Sequence, residues 1–157
     1  MSRVFNLFDA EVAPPMENMP EGHRFAALSL SDNLGAKLTG LSVYELPPGE
    51  ACWPYHFELN EEEWLVVVSG ELMLRTPEGE RELRAGDVAC FPSGPEGAHA
   101  VRNDGPGTAR FVMPSSVAQL GDATVYPDSG KFKLSGPGGF NHRGWLGEHI
   151  EYWEGEK

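Results

Sequence analysis

The chain has 157 residues, the size of one domain and enough to bury a core without disulfides or a structural metal. Its 12 basic and 24 acidic residues give a formal charge of -12, and this excess of carboxylates disfavours phosphate backbones and anionic lipid surfaces. We therefore expect neither nucleic acid nor a membrane as a partner. The 19 glycines and 13 prolines are spread along the chain and indicate frequent turns rather than disorder.

The predicted location follows from the apolar segments and the cysteines. The longest apolar run, Trp64 to Val68, is far shorter than the ~20 residues that cross a bilayer, and residues 1–3 lead into no apolar signal segment. Cys52 and Cys90, the only cysteines, lack a Cys-x-x-Cys spacing. These features predict a cytoplasmic protein with two reduced, buried thiols.

The N-terminal segment, residues 1–22, is expected to hold a strand from Val4 to Phe8 and then an acidic, proline-containing connector of no assigned structure. Residues 23–113 contain short apolar runs separated by turn sequences, which predict an antiparallel sandwich or barrel with almost no helix. The predicted strands are Arg24 to Leu30, Lys37 to Leu46, Ala51 to Phe57, Glu63 to Val68, Glu71 to Thr76, Glu80 to Leu83, Val88 to Phe91, His99 to Arg102 and Thr108 to Met113.

The C-terminal extension, residues 114–157, combines turn-forming prolines and glycines with five large aromatic residues. These are Phe132, Phe140, Trp145, Tyr152 and Trp153. Burying such rings outweighs the cost of ordering the segment, so we expect the extension to pack on the barrel or on a second subunit.

Sequences typical of two common kinds of catalytic site are missing. No glycine loop has the pattern of a nucleotide-phosphate cradle, and no Gly-x-Ser-x-Gly elbow or catalytic cysteine context is present. Nucleotide binding and nucleophilic hydrolysis are therefore disfavoured.

Four side chains in strand-like sequence are candidate metal ligands: His56, Glu58, Glu63 and His99. Residues two apart in a strand point to the same side, so His56 and Glu58 share a face, while Tyr55 and Phe57 point away. Glu63 begins an apolar run, where an ionised carboxylate needs a cation nearby. From the residues alone, a solvated acidic turn, an exposed edge carboxylate and a packed core histidine stay open as alternatives.

Positively charged side chains near the candidate ligands would indicate whether the substrate is an anion. Arg75 and Arg102 are the only ones near these motifs that could hold an anionic substrate, and we expect them to pair with surface carboxylates instead.

The spacing of the candidate ligands resembles the two sequence motifs of the cupin superfamily. The first motif is similar to Gly49–Gly70, where His56 and Glu63 stand at the positions of a histidine and the glutamate. The second is similar to Gly86–Asn103, with His99 at the histidine position. Glu62–Leu65 and Tyr126–Lys131 further resemble a subgroup of small, single-domain bacterial cupins.

The resemblance implies an all-β, double-stranded β-helix (a jelly-roll barrel) with a docked C-terminal tail, usually as a homodimer. It also implies a divalent metal held by His56, Glu63, His99 and, in place of the second histidine of the motif, Glu58. Nitrogen and carboxylate donors suit Fe, Mn, Ni, Co or Zn.

Two arrangements of this ligand set lead to different chemistry. If both glutamates coordinate, the metal is a weaker Lewis acid. If Glu58 does not, His56, Glu63 and His99 form a two-histidine, one-carboxylate set with open positions, and Glu58 is a catalytic general base. The second arrangement predicts a metal-dependent enzyme, dioxygenase-like or proton-transferring, that acts on a small molecule. A non-catalytic ligand-binding or sensor module is the alternative, and a sugar isomerase or epimerase, which would need more cations facing the pocket, is a weaker one.

Overall fold

The computed structural model describes residues 4–147 and 149–156, so the expectations for residues 1–3, 148 and 157 lie outside the described residues. Every strand pair in these ranges is antiparallel. In chain order the elements are β1 Ala26–Ser29, α1 Leu30–Leu34, β2 Thr39–Leu46, β3 Phe57–Glu58, β4 Glu63–Ser69, β5 Glu71–Thr76, β6 Gly79–Arg84, β7 Val88–Phe91, a 3-10 turn Pro95–Gly97, β8 Ala100–Arg102, β9 Ala109–Ser116, β10 Asp122–Tyr126, β11 Lys131–Gly136, a 3-10 turn Pro137–Gly139 and β12 Phe140–Trp145.

The strands form three sheets with the orders β1-β2-β9-β4-β7, β12-β11-β10-β3 and β6-β5-β8. The core collects the alternate residues that the first and third sheets turn inward. In β4, the side chains of Leu65 and Val67 are buried, whereas that of Trp64 points to the opposite face of the strand and is exposed. Each fully buried leucine or phenylalanine contributes about 2 kcal/mol relative to exposure. The metal-site candidates lie at the edge of this core.

The C-terminal strands β10, β11 and β12 form a meander that joins the barrel through β3. Val125 pairs with Phe57, and Thr124 pairs with Glu58. Phe140, Trp145, Tyr152 and Trp153 nevertheless stay largely exposed in the described chain. In the described single chain, backbone pairing rather than burial of these rings orders β10–β12, and packing of the extension on a second subunit stays a prediction.

The segment from Ala51 to Phe57 is not the continuous strand that the sequence predicts. Only two isolated bridges occur there, Ala51 to Arg102 and His56 to His99, before β3 begins at Phe57. Pro54 has no N–H to donate to a ladder, which interrupts the pairing.

Two local differences have side-chain causes. Val4 to Phe8 contains no strand, because the Asn6 side chain accepts from the amide of Phe8 at 2.9 Å and closes a turn. After β1, Ser29 caps the short helix α1 by accepting from the amide of Asp32 at 3.2 Å. No helix of the described ranges is long and apolar enough to span a membrane.

The two cysteines are free and differ in exposure. Cys52 is buried, as expected, but Cys90 is exposed. The prediction for Cys90 is wrong because β7 alternates and turns Cys90 outward while Phe91 enters the core.

Candidate metal centre

A backbone bridge brings the two candidate histidines together. The amide of His56 donates to the carbonyl of His99 at 3.1 Å, and the amide of His99 donates to the carbonyl of His56 at 2.8 Å. The side chains of such an antiparallel pair lie on the same side, and the two ring centroids are 4.7 Å apart. Both residues are buried.

Backbone carbonyls fix the tautomer of both rings. His56 Nδ1 donates to the carbonyl of Pro54 at 2.9 Å, and His99 Nδ1 donates to the carbonyl of Gly97 at 2.9 Å. Because a carbonyl only accepts, the neutral rings carry the proton on Nδ1 and a lone pair on Nε2. Burial lowers the pKa of His56, and burial together with the neighbouring His56 lowers the pKa of His99 to about 3. Both rings are therefore neutral at physiological pH and able to bind a metal.

Glu63 completes the group from the first position of β4. Its Oε2 lies 3.8 Å from His56 Nε2 and 3.6 Å from His99 Nε2, which is too far for a hydrogen bond. Burial, with smaller contributions from Glu61 and Asp122, raises the pKa of Glu63 to about 7. Within the described residues, Glu63 Oε2 and His99 Nε2 are buried without a hydrogen-bond partner.

The three residues fit a metal ion. One ligand atom from each of His56, Glu63 and His99 lies within 4.8 Å of the others. Donors bound to one ion at ~2.1 Å are at most about 4.2 Å apart, and both His-to-Glu distances are inside that limit. The backbone acceptors on Nδ1 are the outer partners that metal-bound histidines have in general. Converging donor atoms with no hydrogen bond between them make a cation the matching occupant once Glu63 is ionised.

Glu58 stands beside this group rather than in it. It is not among the residues whose ligand atoms lie within 4.8 Å of one another, although Glu58 is only two residues after His56 in the sequence. Its Oε2 is buried and has no hydrogen-bond partner in the described part of the chain. Burial and the neighbouring carboxyl of Asp122 raise the pKa of Glu58 far above its ordinary value. In the metal-free protein Glu58 therefore holds a proton at neutral pH.

Two aromatic residues of the site did not emerge from the sequence. The ring of Phe91 stacks on His99 at 3.7 Å between centroids, and Tyr126 stacks on His56 at 5.9 Å. Phe91 pairs with Glu63 across β4 and β7, so the β-ladder carries it to the site. Tyr126 is the last residue of β10. The polar residues at every second position of 122–126 are the sequence pattern that could have predicted this strand and the face on which Tyr126 lies.

The arginines named from the sequence behave as expected. Arg75 makes two hydrogen bonds to the carboxylate of Asp128, at 2.6 and 2.9 Å, and Arg102 is paired with Glu80 and Asp104. The prediction that both are held by surface carboxylates is confirmed.

Comparison with known proteins gives a family match and a fold match. Residues 42–114, which include all four candidate ligands, match the family model of the cupin domain. Among solved structures, a candidate sugar phosphate isomerase of Acidithiobacillus ferrooxidans is 22% identical, with a TM-score of 0.80 and coverage of 92% of each chain. A sugar phosphate isomerase of the cupin superfamily from Silicibacter pomeroyi is 22% identical, with a TM-score of 0.78, over 90% of this chain and 92% of its own.

A third structure is more distant. A polyketide cyclase from Streptomyces resistomycificus is 23% identical, with a TM-score of 0.59, over 74% of this chain and 80% of its own. No curated protein matches the chain. At these identities the likeness establishes the architecture, a mostly β, double-stranded β-helix of the cupin type whose sheets are not closed.

Proposed function

We propose that this chain, which carries a cupin domain over residues 42–114, is a metal-dependent enzyme that transfers protons on a small molecule. His56, Glu63 and His99 would hold a divalent transition metal, and Glu58 would be the catalytic acid and base. One observation supports this most directly: three donors converge, and next to them lies the Glu58 carboxyl, whose Oε2 is buried and has no hydrogen-bond partner among the described residues.

The chain's own residues define what the site can do. When bound, the ion would supply Lewis-acid polarisation of a substrate oxygen. His56 and His99 are oriented for this by the carbonyls of Pro54 and Gly97. Glu63 contributes one negative charge, which leaves the bound ion net positive. Open positions would remain for substrate, because three protein donors gather among the described residues.

Glu58 is suited to proton transfer by its environment. In the metal-free protein Glu58 carries a proton, because burial and the neighbouring Asp122 raise its pKa, and we propose that it begins the reaction as an acid. It would give that proton to one substrate atom and take a proton from another, which restores its starting state. The general-base role expected from the sequence becomes the second half of this cycle. Sugar isomerisation, for which two of the structural neighbours are named, is one reaction of this kind.

Oxygenation is the second candidate, and the donor set supports it. Two histidines and one carboxylate with open positions are the set that Fe(II) oxygenases use. A non-catalytic sensor or binding module would use the same residues without turnover. Dependence on dioxygen separates the first two candidates, and turnover separates both from the third.

The metal is tested first. Elemental analysis of purified wild type, His99→Ala and Glu58→Gln should show one metal per chain in wild type and Glu58→Gln, and loss in His99→Ala. His149→Ala, which changes an exposed histidine, is the matched control. Equal metal content in all four proteins would contradict the site.

Proton transfer is tested next by deuterium exchange. Hydroxycarbonyl compounds are incubated without oxygen in D2O with the metal-loaded protein, and exchange at carbon is followed by NMR. We expect exchange with wild type and its loss in Glu58→Gln, which keeps the metal. Glu78→Gln, an exposed carboxylate on the β5–β6 turn, is the control. Turnover that requires oxygen would support the oxygenase instead, and no turnover would leave the binding module.

We also propose a cytoplasmic homodimer. The free thiols of Cys52 and Cys90 are suited to a reducing compartment. In the described chain β12 pairs only with β11, and it exposes Phe140 and Trp145 beside its free edge. Light scattering of the purified protein tests the dimer, and a monomer mass would contradict it.

A further inference from the structure

The C-terminal sheet carries a row of polar side chains that begins at Glu58. Thr124 of β10 pairs with Glu58, Lys133 of β11 pairs with Thr124, and Arg143 of β12 pairs with Lys133. Directly opposed residues of antiparallel strands point to the same side of their sheet. Lys133 and Arg143 therefore share the face on which Glu58 lies.

A second row, two residues along, shows that this face is turned toward the metal centre. Tyr126 pairs with Lys131, and Lys131 pairs with Trp145. The Tyr126 ring stacks on His56, and Lys131 Nζ lies 5.4 Å from the centroid of the Tyr126 ring. Burial raises the pKa of Glu63, and the positive charge of Lys133 opposes that rise, as expected for an ammonium near the site.

Like the exposed Lys37 and Arg81, the cations of this face make no ion pair in the described part of the chain, but they lie on the face that carries Glu58. Arg102 and Arg110 each make an ion pair with a glutamate, and Arg75 makes one with an aspartate. Across residues 4–147 and 149–156, no ion pair with a carboxylate joins Lys133 or Arg143. The sequence-based expectation that only Arg75 and Arg102 lie near the motifs is thus wrong. It missed Lys133 because β-pairing, not sequence distance, brings it near Glu58.

The burial of the two lysines favours a ligand over a plain solvated face. Lys131 and Lys133 are only partly exposed, while Phe132 between them and Leu134 after them belong to the opposite face of β11. A partly desolvated ammonium is stabilised by an anion. Among the described residues no carboxylate lies within ion-pair distance of Lys131 or Lys133, although Lys133 and Glu63 interact at longer range. In a chain of formal charge -12, such a local group of cations would also draw anions to this face.

We propose that Lys133 and Arg143, with Lys131 beside them, form an oxyanion-binding subsite next to the metal centre. The ligand is a small molecule with a terminal phosphate or carboxylate group, because a guanidinium and an ammonium bind the oxygens of both groups. That this ligand is the substrate rests on the proposed function. Neighbouring strands are about 4.8 Å apart, so the backbone of Lys133 is about 10 Å from that of Glu58. This spacing suits a chain of a few carbons between the anion and the reacting atoms.

The subsite is tested by calorimetric titration of the purified protein, with inorganic phosphate and acetate as probes. Lys133→Gln and Arg143→Gln should each lower the affinity for the anion that binds by about tenfold. This is the loss expected for one charge-assisted hydrogen bond. Lys37→Gln and Arg81→Gln remove exposed cations elsewhere and should leave the affinity unchanged. Binding should also weaken as NaCl is added.

The two probes distinguish a phosphate-bearing ligand from a carboxylate-bearing one. Tighter binding of phosphate supports a phosphorylated compound, and tighter binding of acetate supports a carboxylic acid. If neither probe binds wild type, or if Lys133→Gln binds as tightly as Lys37→Gln, the subsite is overturned.

His99→Ala separates failure of the subsite from failure of the proposed function. We expect this variant to lose the metal and to retain anion binding that Lys133→Gln still weakens. Loss of anion binding in His99→Ala would mean that the probe binds the metal, which overturns the subsite while the proposed enzyme stands. Retained anion binding in a protein without turnover would support the subsite and contradict the enzyme.

Discussion

Replacing Glu63 by glutamine should stabilise the metal-free protein at neutral and higher pH. The substitution preserves the shape of the side chain and removes a negative charge that makes no ion pair with a lysine or arginine of the described residues. Folding raises the pKa of Glu63 from 4.5 to about 7. At 1.36 kcal/mol for each pKa unit, this shift makes the ionised carboxylate cost about 3 kcal/mol of folding free energy. The side chain is only 20% exposed, so solvent screening reduces this figure little.

The sign follows from the direction of the shift. A group whose pKa is raised on folding contributes its full stability below the unfolded pKa and loses it as pH rises through the folded pKa. Wild type and Glu63→Gln should therefore be equally stable below about pH 4.5 and differ increasingly up to about pH 7. Above that, the variant should be more stable by about 3 kcal/mol.

Urea unfolding with a chelator present, followed by tryptophan fluorescence between pH 4.5 and 8, measures this difference. Adding a divalent metal should reverse the order, since an ion at 1,000 times its Kd stabilises wild type by about 4.1 kcal/mol and the variant loses the ligand. Glu78→Gln controls for the loss of an exposed charge. A metal-free Glu63→Gln protein that is less stable than wild type at pH 8, or a difference independent of pH, would refute the reasoning.

Three further predictions concern the same site and its surroundings. Because a proton must leave Glu63 before a metal binds, metal affinity measured by calorimetry should rise about tenfold per pH unit below pH 7 and level off above it; a flat profile would contradict this. Gly97→Ala would place a Cβ 1.8 Å from the carbonyl oxygen of Pro92, so Tm and metal content should both fall, since Gly97 also holds His99; an unchanged Tm would contradict it. Arg75→Gln removes an exposed ion pair and should change Tm little, with a drop of many degrees as the contrary result.

The strands of the barrel could be predicted because their signals are local. Glu71–Thr76 and Val88–Phe91 occur with the predicted bounds, since alternation and turn residues within a few positions define them. His56, Glu63 and His99 could be named from the sequence because the spacing within each of the two motifs is likewise local. Pro54 shows the limit of local signals in predicting strands. It interrupts the strand expected from Ala51 to Phe57, yet His56 still pairs with His99 in an isolated bridge.

The rest of the site depends on pairing between distant segments, which local patterns do not reveal. Thr124 and Lys133 reach the neighbourhood of Glu58 only through the register of β3, β10 and β11. Rings such as Trp145 suggested packing rather than alternation, so the three strands β10–β12 and the cations on them were not predicted. A one-residue change of register would have turned Lys133 to the opposite face.

The bridge between His56 and His99 has a consequence for how the centre is filled. Peptide groups, not imidazoles, tie the two segments together, so their spacing does not depend on an occupant. Little chain ordering then has to accompany ion uptake, and the empty and loaded proteins should share one backbone. Such a preformed cradle can exchange one transition ion for another without unfolding, and the supply of metals in the cell would decide which ion it carries.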